Sequence, residues 1–326
     1  MTWHAHARCF GLGRAAYLFW HAPVGALKTS IAAGGPIEQW RDRAARAKMR
    51  AAAACLAPQR LPPAAPAWPE IHFLTGEKFW DQTALCLYTL QAHASCSLRT
   101  ILHDDGSASD DIVARLGRVF PYARWRRPAE AAALLDRHLD AARHPALRER
   151  WRVYPNIRKL TDVHLGARGW KLVLDSDMLF FRRPYFLLDW LRAPDRPLHA
   201  TDVKDSYGYP PALLESLAGA PLPARLNVGI CGLRSEDLDW DRLEIWCRRL
   251  QEAAGTSYYL EQALVAMLCA GRPCAVAPAD DYRVMPTETE CRDPQAVLHH
   301  YVAGSKRGYY RHAWKLALAR SVGQAL

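Results

Sequence analysis

From residue 68 onward the chain alternates short apolar runs with longer stretches of helical spacing. Ile71-His72-Phe73-Leu74-Thr75 predicts a first strand, and Trp80, Ala84, Leu87, Tyr88 and Gln91 then recur at helical spacing. Leu98-Arg99-Thr100-Ile101-Leu102 predicts a second strand, followed by a helix carrying Ile112, Val113, Leu116 and Phe120. Residues 129–143 and 157–165 predict further helices, and Trp170-Lys171-Leu172-Val173-Leu174 has the pattern of a buried strand. Strands alternating with helices predict an α/β domain with a mostly parallel sheet, whose ligands bind outside the carboxyl ends of the strands. Thr75-Gly76, Asp104-Asp105 and Asp175-Asp177 all fall at such ends.

The first 67 residues follow another pattern. Residues 28–56 predict a basic helix with Ile37, Trp40, Ala44, Ala47 and Ala51 on one side and Arg41, Arg43, Arg46, Lys48 and Arg50 around them. Such a segment suits either a solvated helix docked on the main domain or a peripheral contact with anionic lipid. The run from Leu61 to Pro69, with prolines at 62, 63, 66 and 69, reads as a stiff linker. The expected organisation is therefore a helical extension and linker over 1–67 and one domain over 68–326. Charge divides the same way: nine Lys/Arg against Glu38 and Asp42 give +7 in the extension, leaving +3 of the total +10 for the rest.

That uneven charge argues against a nucleic-acid partner, because the domain itself carries little excess and no RNA-binding aromatic motif. Gly11-Leu12-Gly13 follows no strand and lacks the third glycine of a dinucleotide fingerprint, and no Walker lysine motif occurs. The nine cysteines are scattered without a Cys-x-x-Cys pair, which reads as reduced packing residues in a cytoplasmic protein. The apolar stretch from Ala15 to Leu27 is broken by His21, Pro23 and Gly25 and is too short to span a bilayer. No secretory signal is expected, and His4, His6 and Cys9 read as part of a flexible start.

The chemistry concentrates at Asp175-Ser176-Asp177, immediately after the buried strand. Two ionised carboxylates at the mouth of an apolar strand repel one another unless a positive charge neutralises them, and a hard divalent cation does so well. The spacing alone proves little: with 21 Asp in the chain, Asp237-Leu238-Asp239 and Asp239-Trp240-Asp241 share it. Those two precede a helix carrying Leu243, Trp246, Cys247 and Leu250, where Asp serves as N-cap.

Over about residues 70–310 the chain resembles nucleotide-sugar glycosyltransferases of the GT-A fold, a Rossmann-type sheet flanked by helices. Within that fold it resembles the family-8 group of glycogenin and bacterial lipooligosaccharide galactosyltransferases. Lys171 to Phe180 resembles that family's strand and metal motif, Asn227-Val228-Gly229 its Asn-Ala-Gly segment, and His300 to Lys306 its C-terminal His-Gly-Lys element. The resemblance implies a transferase moving a hexose from a nucleoside-diphosphate sugar, UDP being the expected nucleotide, with retention. The acceptor is open: a saccharide, a lipid-linked glycan or a protein. The implied cofactor is Mn²⁺ or Mg²⁺ on Asp175, Asp177 and His300, with Lys306 on the diphosphate. Because Gly304 stands four residues after His300 where the family has three, His299 is the alternative ligand.

The resemblance further implies that Arg158 or Lys159 contacts the donor. Asp202 would bind the donor sugar's hydroxyls, and Glu261-Gln262 would lie near the reacting carbon beside Asn227, with Glu in place of the family's Asp. Asp104-Asp105-Gly106-Ser107 resembles the nucleoside-binding turn of family-2 transferases, which invert; Thr75 and Gly76 belong with it as expected nucleotide contacts. A non-catalytic nucleotide-sugar binder of the same fold is the remaining alternative. A cytoplasmic place, peripheral at the inner membrane face through the basic segment, completes the expectation.

Overall fold

The computed structural model describes residues 35–322; the histidines at 4 and 6, Cys9, the stretch 15–27 and residues 28–34 of the basic segment lie outside the described residues. The chain divides into two compact units, residues 1–49 and 50–326.

Helix Gly35–Ala54 corresponds to the basic segment. Its expected apolar side is the outward one: Ile37 and Trp40 are 67% and 69% exposed, whereas Met49 and Ala53 are buried. The residues that bury lie four apart on another face, which the alanine-rich pattern did not reveal. Among the described residues no helix is long and apolar enough to cross a membrane.

The second unit is built on strands β1 (Glu70–Thr75), β2 (Thr100–Asp104), β3 (Ala123–Arg126), β4 (Trp170–Leu174), β5 (Met178–Phe180), β6 (Leu198–Thr201), β7 (Leu226–Arg234), β8 (Ala275–Val276), β9 (Tyr282–Val284) and β10 (Leu298–His300). Seven form one sheet in the order β3-β2-β1-β4-β7-β6-β8, and β5-β10-β9 form a second. The first four strands of the large sheet run parallel, β7 is antiparallel to both neighbours, and β6 and β8 are parallel. The α/β fold with a mostly parallel sheet flanked by helices is thus as expected.

Packing explains why β4 delivers its carboxylates so firmly. Leu172, Val173 and Leu174 are buried, each contributing about 1.5–3 kcal/mol. Helix Trp80–Ala94 covers the neighbouring face with Leu85, Leu87 and Leu90, all buried. The chain leaves β4 through Asp175-Ser176-Asp177 and enters β5, so these three residues form one of the links between the two sheets.

Several boundaries differ from the pattern. The helix expected over 129–143 spans Pro128–His138, because the Asp140 carboxylate accepts from the N–H groups of Ala142 and Arg143 at 2.9 Å and turns the chain. The second strand begins at Thr100 rather than Leu98 and runs to Asp104. Strand β3 and helix Pro145–Val153 had no apolar period to announce them: β3 is half-exposed and the helix buries only Leu147.

Candidate active site

Three segments far apart in sequence are stitched together by backbone hydrogen bonds. The Asp175 N–H donates to the Gly229 carbonyl at 2.8 Å, and the Tyr301 N–H donates to the Asp177 carbonyl at 2.8 Å. Antiparallel pairing of β5 with β10 sets His300 opposite Met178. The middle residue of the acidic step turns away: the hydroxyls of Ser176 and Thr83 are 2.7 Å apart, and the Thr83 hydroxyl in turn donates to the Thr75 hydroxyl.

As a result Asp175, Asp177 and His300 present ligand atoms within 4.8 Å of one another. His300 Nε2 lies 3.2 Å from an Asp177 oxygen and 3.6 Å from an Asp175 oxygen. Both ring nitrogens are buried without a hydrogen-bonding partner of good geometry. A lone pair and carboxylate oxygens facing one point suit a cation, and the mixed nitrogen and oxygen set suits Mn²⁺ somewhat better than Mg²⁺. Gly229 makes the room for the ring, since a Cβ there would lie 2.3 Å from His300 Cε1. Its neighbour His299 faces the other way, as alternation along a strand requires, with Nδ1 3.1 Å from the Tyr301 hydroxyl and its ring edge-on to Phe181. Of the two histidines it is His300 that faces the carboxylates.

Two lysines neutralise the pair from either side. Lys159 Nζ is 2.6 Å from Asp175 and 3.5 Å from Glu261, and Lys306 Nζ is 3.0 Å from Asp177. Burial would raise the Asp177 pKa, but His300 and Lys306 outweigh it and hold the carboxyl well below its usual range. Burial also opposes the charge on His300, and the nearby Asp177 and Asp175 carboxylates outweigh that, raising it. Glu261 goes the other way: burial, against the pull of Lys159, pushes it up to about 7.

These groups line a cleft of about 370 Å³. Nine of the site residues singled out in the sequence meet there: Lys159, Asp175, Asp177, Asp202, Asn227, Glu261, Gln262, His300 and Lys306. The Asn227 amide donates to Asp202 at 3.1 Å while its carbonyl oxygen accepts from Gly229 at 2.9 Å, which fixes both side chains. Gln262 donates to the Ser206 carbonyl. Counted as ionised, Asp175, Asp177, Asp202 and Glu261 oppose Lys159, Lys204 and Lys306, a balance that a divalent cation turns positive.

Other expected residues lie outside this cleft. Thr75, Gly76, Asp105 and Arg158 form a separate corner: the Asp105 N–H donates to the Thr75 carbonyl, and Arg158 donates to the Asp105 carbonyl while lying over the Trp151 ring. A Cβ on Gly76 would fall 2.0 Å from the Asp105 carboxylate, so that corner is closed by glycine. Asp104 is buried; one oxygen accepts from the N–H groups of Gly106 and Ala108 within the turn, and the other lies 3.4 Å from Arg127. Gly304 faces a neighbouring cavity, and Ala303, three residues after His300, takes the left-handed conformation at φ 48° and lines the cleft.

The sequence reading missed Asn156, Lys204, Tyr258 and Met285, which also line the cleft. Lys204 stands two residues after Asp202 and Tyr258 three before Glu261, so proximity to the chosen motifs was the available signal. Met285 gave none, because its φ of 54° belongs to the folded chain.

No family model matches the chain, and no curated protein matches its sequence. Solved structures do match in fold. The galactosyltransferase LgtC, solved with donor and acceptor sugar analogues, superposes with a TM-score of 0.50 at 16% identity, covering 77% of this chain and 95% of that one. The bifunctional glycosyltransferase WbbM superposes with a TM-score of 0.53 at 11% identity over 80% of this chain, which spans 50% of that one. With its parallel half-sheet, its acidic link at the end of β4 and these neighbours, the chain has the GT-A glycosyltransferase fold.

Proposed function

We propose that this protein is a metal-dependent glycosyltransferase that moves a hexose from a nucleoside-diphosphate sugar, UDP being the expected nucleotide, to an acceptor hydroxyl. The observation that carries the reading is the convergence of Asp175, Asp177 and His300, with Lys306 alongside, in one cleft at the carboxyl end of the sheet. The donor and acceptor analogues bound by LgtC support it.

A divalent cation held by Asp175, Asp177 and His300, Mn²⁺ before Mg²⁺, supplies charge neutralisation for the departing diphosphate. The chain's own residues do the rest. Lys306 is freed from Asp177 to meet a diphosphate oxygen, and Lys159 holds Asp175 in place. Asp202, oriented by Asn227, accepts hydrogen bonds from the donor sugar. Transfer breaks the bond from the anomeric carbon to the diphosphate and forms one to the acceptor oxygen, whose proton must leave. Glu261, ionising near 7, is suited to exchange a proton at that stage, and Gln262 lies beside it. The retaining outcome is the one that the larger number of family-8-like motifs supports.

The outward Ile37 and Trp40, flanked by Arg41 and Arg43, support peripheral contact with an anionic membrane face. Incubating the protein with UDP-sugars and Mn²⁺ and following UDP release tests the reading. Release that is abolished in Asp177→Ala, with circular dichroism unchanged, supports it; no release or UDP binding with any donor refutes it.

A further inference from the structure

Strand β5 lies at the edge of the small sheet, so only one side of its backbone pairs with β10. On that side the Phe181 N–H donates to the Val297 carbonyl and the Tyr301 N–H to the Asp177 carbonyl, both at 2.8 Å. The other side is met by polar side chains of helix Trp80–Ala94. The Phe180 N–H donates to the Thr89 hydroxyl oxygen at 3.2 Å, and the Met178 N–H donates to the Cys86 sulfur. Ser176, just ahead of the strand, bonds the Thr83 hydroxyl. Thr83, Cys86 and Thr89 stand three residues apart, as neighbours on a helix surface do, and all three are buried. The helix is a splint along β5, and its first contact falls on the acidic link.

That first contact bears directly on the site. The chain bends at Ser176 and Asp177, and Ser176 stands between the two carboxylates. A hydroxyl has one proton to donate: Thr83 gives its own to Thr75 at 2.8 Å, so Ser176 is the donor in the 2.7 Å bond. Thr75 ends β1 and is paired with Asp104 of β2, which ties the link to the large sheet through two hydroxyl bonds. Thr75 and Thr83 are each 1% exposed, so water cannot replace a lost partner there. Two carboxylates held on one side of a bend repel one another, and a link left untied would let one of them swing away.

On the metal-dependent reading above, on which this rests, we infer that Thr83 is a positioning residue of the cation site. Its hydroxyl never meets the ion; through Ser176 it fixes the bend that presents Asp175 and Asp177 to the cation together.

Titration calorimetry of the full chain with Mn²⁺ alone, without nucleotide, supplies the test. Thr83→Val keeps the side chain's shape and removes its hydroxyl, and should weaken Mn²⁺ binding about tenfold. Thr83→Ser restores the hydroxyl and should return the affinity to within about twofold of wild type. Ser176→Ala removes the other end of the same bond and should weaken binding about as much as Thr83→Val. Because both act through one bond, the double variant should bind within about twofold of the weaker single. Thr100→Val removes an equally buried hydroxyl, bonded to the Leu98 carbonyl at the start of β2, and should leave Mn²⁺ affinity unchanged. Unchanged affinity in Thr83→Val overturns the positioning role, as do an equal loss in Thr100→Val and losses that multiply in the double variant. If Thr83→Val does not fold, Ser176→Ala decides, and unchanged affinity there overturns the role. Absence of Mn²⁺ binding to the wild type overturns the cation site itself, a result distinct from binding that the variants leave untouched.

Discussion

Asp175-Ser176-Asp177 and Asp239-Trp240-Asp241 share a spacing and little else. The first ends a buried strand, faces an imidazole and two lysines, and links two sheets. The second begins helix Trp240–Ala254: Asp239 accepts from the Arg242 N–H at 3.1 Å as its N-cap, and Asp241 pairs with Arg143 at the surface. A carboxylate beside a helix N-terminus already has its positive partner in the backbone. A carboxylate at the end of a buried strand must find one in a side chain or an ion, and that need makes a binding site.

Mutating the two motifs breaks the comparison most sharply. Asp177→Ala should lower sugar transfer by about a thousandfold or more, the loss of a principal charge stabiliser of the departing group. Asp239→Ala should leave transfer within about twofold, read as initial rates of UDP release. Comparable losses from both would show that spacing, not context, matters.

Imidazoles sharpen the contrast. His300 is raised by its carboxylates, whereas His72, His103 and His164 are buried in the sheet and helix interior with cations nearby. Burial holds His103 and His164 down to about 3, with His72 well below its usual value. A base depressed in the folded state contributes stability that is full above the unfolded value near 6.5 and is lost as pH falls towards 3. At pH 4.5 His103 and His164 would each cost about 3 kcal/mol. Denaturant midpoints should fall steeply from pH 6.5 to 4.5, and His164→Asn should flatten that slope; a midpoint constant across the range contradicts the burial argument.

Gly229→Ala probes the site without touching a ligand. The added methyl must displace the His300 ring, and Mn²⁺ affinity should fall about 10–100-fold, as for other changes that disturb ligand orientation. Unchanged affinity by titration calorimetry would mean the ring has another place to go. The smallest effect is expected at the helix cap, where Asp239→Ala should cost about 1 kcal/mol of stability in urea unfolding.

Much of this was legible in the chain. The strand at 170–174 and the placement of Asp175 and Asp177 followed from a short apolar run with acids at its end. The Asn-x-Gly and His-to-Lys segments were visible only as resemblance, and the reason for the glycine is a three-dimensional contact with a ring 71 positions away in sequence. Which of His299 and His300 faces the site is decided by β10 pairing with β5, which no local pattern encodes. Ala303 shows why the motif looked one residue long: the backbone makes its left-handed turn on alanine, at the position where the resemblance places glycine. Strand β3, with arginines and a tryptophan at a sheet edge, had no alternation to read.

The central claim is that the acidic link and His300 bind a divalent cation through which nucleotide is recognised. Calorimetric titration of UDP into the wild-type protein, in Mn²⁺ and in EDTA, tests it most directly. The account predicts binding in Mn²⁺ that weakens at least about tenfold in EDTA and is lost in Asp177→Ala. Equal affinity in the two buffers would contradict it.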